Sequence, residues 1–117
     1  MKIVESKKGK VAIATKYEVM IHNTRDALDL MATIGYEGCD NIILNKENFI
    51  EAFFDLSTKI AGDILQKYAN YNMKLAIVGD FSKYTSKSLK DFMYECNCGR
   101  HVFFVSSQEE ARMLMGI

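Results

Sequence analysis

Two stretches decide how this chain is built: Asn41-Ile42-Ile43-Leu44-Asn45-Lys46-Glu47 and Lys74-Leu75-Ala76-Ile77-Val78-Gly79-Asp80. Each is a short continuous apolar run that ends on polar residues. A strand exposed on one face alternates apolar and polar residues; a strand covered on both faces does not need to. Between the two runs, Ile60, Ala61, Ile64, Leu65 and Tyr68 recur at helical spacing, which places one apolar stripe on a helix. Asp55-Leu56-Ser57-Thr58 stands at the expected start of that helix, because short oxygen-bearing side chains accept from the free amides of a first turn. Strand, helix, strand with both strands buried is the parallel β-α-β unit.

Working outward, Lys2 to Glu5 and Val11 to Thr15 read as strands joined by the charged, glycine-containing link Ser6-Lys7-Lys8-Gly9-Lys10, as in a hairpin. Tyr17, Val19 and Ile21 alternate with polar neighbours and either extend the sheet or line a loop. Asn23-Thr24 caps a helix carrying Ala27, Leu28, Leu30, Met31 and Ile34, with Gly35 placed to end it. Thr85-Ser86 caps another, with Leu89, Phe92, Met93 and Cys96 inward and Gly99 beyond. Val102 to Val105 is a last strand, and Ser107-Gln108-Glu109-Glu110 has capping-box spacing before Ala111, Leu114 and Met115. The order is therefore β-β-α-β-α-β-α-β-α. It predicts a single α/β domain over residues 1–117, with a mixed sheet of four or five strands, three of them parallel. Strand order is left open.

The chain has 117 residues, of which 49% are hydrophobic, including 7 Phe and 6 Tyr. That supports a packed core without metal or disulfide. Fifteen basic residues balance fifteen acidic ones, which argues against a nucleic-acid or anionic-membrane partner. No apolar run approaches the ~18 residues of a membrane span, and Met1-Lys2-Ile3-Val4-Glu5 lacks the pattern of a secretory leader. Three cysteines, an odd and low count, point to free thiols in a reducing, cytoplasmic setting.

In open α/β sheets ligands bind beyond the carboxyl ends of the strands. The residues this places together are Asn45, Lys46, Glu47, Asp55, Ser57, Asp80 and Ser82, with Lys46 as partner for an anion; Lys83 belongs to the same edge. Glu47 and Asp55 are candidate paired carboxylates, but their spacing fixes no separation, so no catalytic residue is assigned. No glycine-rich phosphate loop precedes a helix. Cys96, Cys98 and His101 do not have zinc-module spacing, and no metal or cofactor is expected. Phe49, Ile50, Phe53 and Phe54 lie in a connection of about nine residues, longer than the usual 2–6. Either they fold over the core, or Phe49, Phe53 and Phe54 form an apolar patch for a protein partner or a second copy.

Several segments carry a family resemblance. Ala27-Leu28-Asp29-Leu30-Met31-Ala32-Thr33, Phe53-Phe54-Asp55-Leu56-Ser57-Thr58, Ala61-Gly62-Asp63-Ile64-Leu65-Gln66-Lys67, Lys74 to Ser82 and Tyr84 to Phe92 resemble the bacterial uncharacterised-domain family 4180. So do Gly99-Arg100 and Val102-Phe103-Phe104-Val105. That family implies no activity and no functional residues. The element order is also similar to that of anti-sigma-factor-antagonist (STAS) domains, in which an Asp-x-Ser motif opens the second helix and its serine is a phosphorylation switch. Asp55-Leu56-Ser57 occupies the corresponding place, which makes Ser57 the candidate phosphoacceptor, although Thr58-Lys59 stands where those domains commonly have glycine. This resemblance implies a non-catalytic regulatory or interaction module. The competing expectation is a small-molecule-binding protein, or an enzyme of modest power, using the strand-end crevice.

Overall fold

Ile42, Leu44, Leu75 and Ile77 pack on one face of the sheet and Ile43 and Ala76 on the other, and all six are buried. Two-sided burial is thus the reason the deciding runs are unbroken. The computed structural model describes residues 1–117. Its elements in order are β1 (Lys2–Ser6), β2 (Gly9–Ile13), α1 (Thr24–Tyr36), β3 (Asn41–Asn45), α2 (Ile60–Asn70), β4 (Lys74–Val78), α3 (Lys87–Cys98), β5 (Val102–Val105) and α4 (Gln108–Met115).

The five strands lie side by side in chain order. β1 and β2 form the antiparallel hairpin, with Val4 opposite Val11. β2, β3, β4 and β5 are parallel neighbours. The second hairpin strand therefore joins the parallel set, making four parallel strands where the sequence suggests three. Each crossover steps the same way along the sheet, so right-handed connections bring α1, α2 and α3 to one face. Their residues Ala27, Met31, Ile34, Ala61, Ile64, Tyr68, Leu89 and Cys96 share a core with Ala12, Leu44, Leu75 and Phe104. On the other face α4 alone, through Ala111 and Met115, covers Val11, Ile13, Ile43, Ala76, Phe103 and Val105.

The long β3–α2 connection is not irregular. It winds through three short 3-10 turns, Lys46–Asn48, Glu51–Phe54 and Leu56–Thr58. Phe49, Phe53 and Phe54 are 3%, 1% and 5% exposed, so they belong to the core and present no patch to a partner or a second copy. Asn48, fully buried, holds the start of this connection. Its Oδ1 accepts from the Asn45 amide at 2.7 Å, and its Nδ2 donates to the carbonyls of Lys16 at 2.9 Å and Glu18 at 2.8 Å. Its own carbonyl accepts from the amides of Met20 and Ile21. Ile21 is buried, whereas Tyr17 and Val19 are exposed, so this segment is a loop stapled by Asn48, with strand-like pairing to the connection only at the bridge from Ile21 to Phe49.

Helix boundaries follow the local chemistry. Asn23, Ser86 and Ser107 cap α1, α3 and α4 with their side-chain oxygens. The helix expected from Asp55 or Ser57 instead starts at Ile60, because Lys59 takes a left-handed conformation with φ 66°. Asp55 caps the preceding 3-10 turn. Gly35 lies inside α1, and Gly38, at φ 77°, makes the left-handed turn after it. Tyr68, fully buried, donates to the Ala27 carbonyl at 2.8 Å and ties α2 to α1. Burial pushes its hydroxyl far above the ordinary tyrosine value.

Two substitutions test this account by chemical denaturation. Asn48→Ala removes an acceptor and two donors from a buried position, and a loss of about 3 kcal/mol is expected. An unchanged midpoint would show that the staple contributes nothing. Lys59→Gly relieves the left-handed strain of a residue whose side chain makes no cap bond. It is expected to stabilise by about 1 kcal/mol.

Candidate functional site

The connections leaving the sheet at its carboxyl edge do not all go the same way. From β4 the chain turns to the α3 face; from the adjacent β5 it turns to α4 on the opposite face. Diverging connections from neighbouring parallel strands leave an uncovered gap, the topological switch point at which α/β proteins bind ligands. A cleft of about 420 Å³ lies there, lined by Gly79, Asp80, Phe81, Phe104, Val105, Ser106 and Glu110. Its floor is aromatic: the rings of Phe81 and Phe104 meet edge to face with centroids 5.5 Å apart. Its rim is acidic, and each acid is steadied by a backbone amide. Asp80 Oδ1 accepts from the Ser82 amide at 2.9 Å, and Glu110 Oε1 from the Ser106 amide at 3.0 Å. The amide and hydroxyl of Ser82, helped by the charge of Lys46, hold the Asp80 carboxyl below its usual value.

Beside the cleft, Gly79 has a second role. A Cβ there would stand 2.6 Å from the Cβ of Lys46, so only glycine lets the Lys46 stem lie against the end of β4. The Lys46 ammonium then sits 5.5 Å from the centre of the Tyr84 ring, and Lys83 sits 5.0 Å from it. Tyr84 stacks on Phe54 with centroids 4.9 Å apart, and its hydroxyl donates to Glu51 Oε1 at 2.7 Å. Lys83 reaches the same oxygen at 3.4 Å. The tyrosine bond, then Lys83, keeps Glu51 below the ordinary carboxylate range. Partial burial, then Glu51, raises the Tyr84 hydroxyl. This cluster locks the 3-10 connection onto the β4–α3 loop.

Of the seven candidate ligand residues, Asp80 lines the cleft, Ser82 orients it, and Lys46 stands beside it across Gly79. Asn45 is buried at the end of β3, its amide bound to Asn48, so it serves the fold. Glu47 is exposed. Asp55 and Ser57 bond to each other: Asp55 Oδ1 accepts from the Ser57 amide at 3.0 Å and from its hydroxyl at 2.6 Å. They share no hydrogen bond with Lys46, Asp80 or Ser82. The sequence alone centres the crevice on β3 and β4, whereas this cleft lies between β4 and β5 and adds Phe81, Phe104, Val105, Ser106 and Glu110 to its lining. Glu110 had a signal, the Ser107-to-Glu110 capping spacing, but its side chain reaches Ser106 and turns that cap into a cleft wall.

Cys39 and Cys96 are buried and Cys98 is exposed, all as free thiols, and no cluster of three or more His, Cys, Asp or Glu side chains could hold a metal ion. Burial, with Glu95 nearby, pushes the Cys96 thiol up to about 11. No helix is long and apolar enough to cross a membrane.

No curated protein and no solved structure was found to match the chain. A family model does match, over residues 6–115, which takes in every element except the first residues of β1, and its description is "Domain of unknown function (DUF4180)". The chain belongs to the DUF4180 family.

Proposed function

We propose that this protein is a non-catalytic cytoplasmic regulatory module that binds a small molecule in the switch-point cleft. The observation that carries the reading is the divergence of the β4 and β5 connections over an apolar floor of Phe81, Phe104 and Val105. The free thiols support a reducing compartment. The rim carboxylates of Asp80 and Glu110, each hydrogen-bonded to a backbone amide, support polar contacts to a bound molecule. A thermal-shift screen over amines, carboxylates, phosphates and nucleotides tests it. A ligand at roughly 100 times its dissociation constant adds about 2.7 kcal/mol, which raises the midpoint by about 10 °C. Ser106→Tyr, which fills the cleft from its wall, is expected to abolish that rise. A flat screen, or a rise that survives Ser106→Tyr, defeats the reading.

A second layer of regulation rests on Ser57, whose hydroxyl is exposed and bound to Asp55. The resemblance to antagonist domains supports it as a phosphoacceptor. A phosphate there brings a charge of about −2 against a carboxylate and removes the hydroxyl's bond to Asp55, next to the amide bond that caps the 3-10 turn packed on α2. Ser57→Asp is therefore expected to lower the thermal midpoint more than Ser57→Ala, and the gap should shrink in high salt. The sign with pH is also fixed. The Ser57 hydroxyl and amide lower the Asp55 pKa, so their stabilisation is present above the unfolded carboxylate value and is lost as pH falls through the lowered one. Wild type and Ser57→Ala should converge in acid; a difference that persists unchanged there would remove Asp55 from the account.

A further inference from the structure

Resting on the reading of the cleft as a ligand site, the side chains around it select the charge of what it holds. No cationic side chain lines the cleft, whereas two carboxylates do. They come from different loops, Asp80 after β4 and Glu110 in the first turn of α4, and each spends one oxygen on a backbone amide. The bonds fix where the two groups point. The Lys46 stem runs over Gly79 and its ammonium lies over Tyr84, so its charge acts on Asp80 from beside the cleft and not from its lining. Of the amides around the start of α4, those of Glu110 and Ala111 are taken by Ser107, and that of Ser106 by Glu110. Below the rim, the Phe81 and Phe104 rings meet edge to face, so an apolar body has a ring to lie on and an ammonium has a ring face nearby.

We propose that the ligand of this cleft is a small organic amine, its ammonium held between Asp80 and Glu110 and its apolar body resting on Phe81 and Phe104. Anionic metabolites are disfavoured for the same reason, because they would bring like charge to two fixed carboxylates.

Phenethylamine and phenylpropionate serve as probes, since they share an aryl group and differ in the sign of charge. Each is titrated into the isotope-labelled protein while the backbone amides of residues 79–82 and 104–110 are followed by NMR. The amine is expected to shift these signals saturably and the carboxylate to leave them in place. Asp80→Asn and Glu110→Gln keep the acceptor oxygen for the Ser82 or Ser106 amide, so the fold is retained. Each should weaken amine binding by about ten-fold, and added salt should weaken it further in the wild type. Binding of phenylpropionate in the cleft equal to or tighter than that of the amine overturns the amine assignment and leaves the cleft reading standing. Equal amine affinity in the wild type and both variants overturns the role of the two acids. No movement of these signals with either probe overturns both the assignment and the cleft reading.

Discussion

The winding direction of the sheet governs everything else. Because β2 to β5 are added in one direction through right-handed crossovers, three helices are forced onto one face and the other is left to α4. The consequence is an asymmetric protein. One face has a deep core with aromatic and branched residues from three helices, while the other relies on Ala111 and Met115 of a helix eight residues long. The same constraint creates the cleft. Only between β4 and β5 do successive connections part to opposite faces, and that parting opens the cleft at the carboxyl edge.

Once the helices share a face, the carboxyl edge has to be sealed elsewhere, and aromatic rings do this. Phe49, Phe53, Phe54, Phe81 and Phe104 form a continuous chain of ring contacts from the 3-10 connection to the cleft floor, with Tyr84 stacked against Phe54 and Phe92 against Phe104. The polar groups at its margin are paired rather than left to solvent. The outer edge of β5 is closed in the same spirit: Asn97 of α3 donates to the Phe104 carbonyl and accepts from its amide. That side-chain amide occupies the place a sixth strand would take, which removes a template for edge-to-edge association.

Local signals carried most of the architecture. Unbroken apolar runs identified the buried strands, and Asn23, Ser86 and Ser107 did cap the helices they precede. What stayed hidden depended on long-range geometry. Asn48 looks like any loop asparagine, and nothing near it in sequence shows that Lys16 and Glu18 supply its acceptors some thirty residues away. The start of α2 is not legible in the sequence because Asp55-Leu56-Ser57 is a good cap in either a 3-10 or an α setting, and the left-handed turn at Lys59 has no composition marker. The cleft lay one strand from where it was sought because strand order, which sequence periodicity does not encode, decides where connections diverge.

Asp80 illustrates how far a residue-by-residue reading reaches. Its polarity after a buried strand marked it correctly as an edge residue, yet its meaning comes from Glu110, which reaches the same cleft from the next strand's connection. The floor residues are less informative in isolation. Phe104 closes the core, meets Phe53 and Phe92, is held by Asn97 and also forms the base of the cleft, so removing it would disturb stability and recognition together. The rim separates the two. Asp80 and Ser106 are exposed and contribute little apolar packing, while Glu110 adds one backbone bond that glutamine also makes. The cleft is therefore a few exposed side chains laid over a floor that belongs to the fold, and the rim is where substitution can probe one without the other.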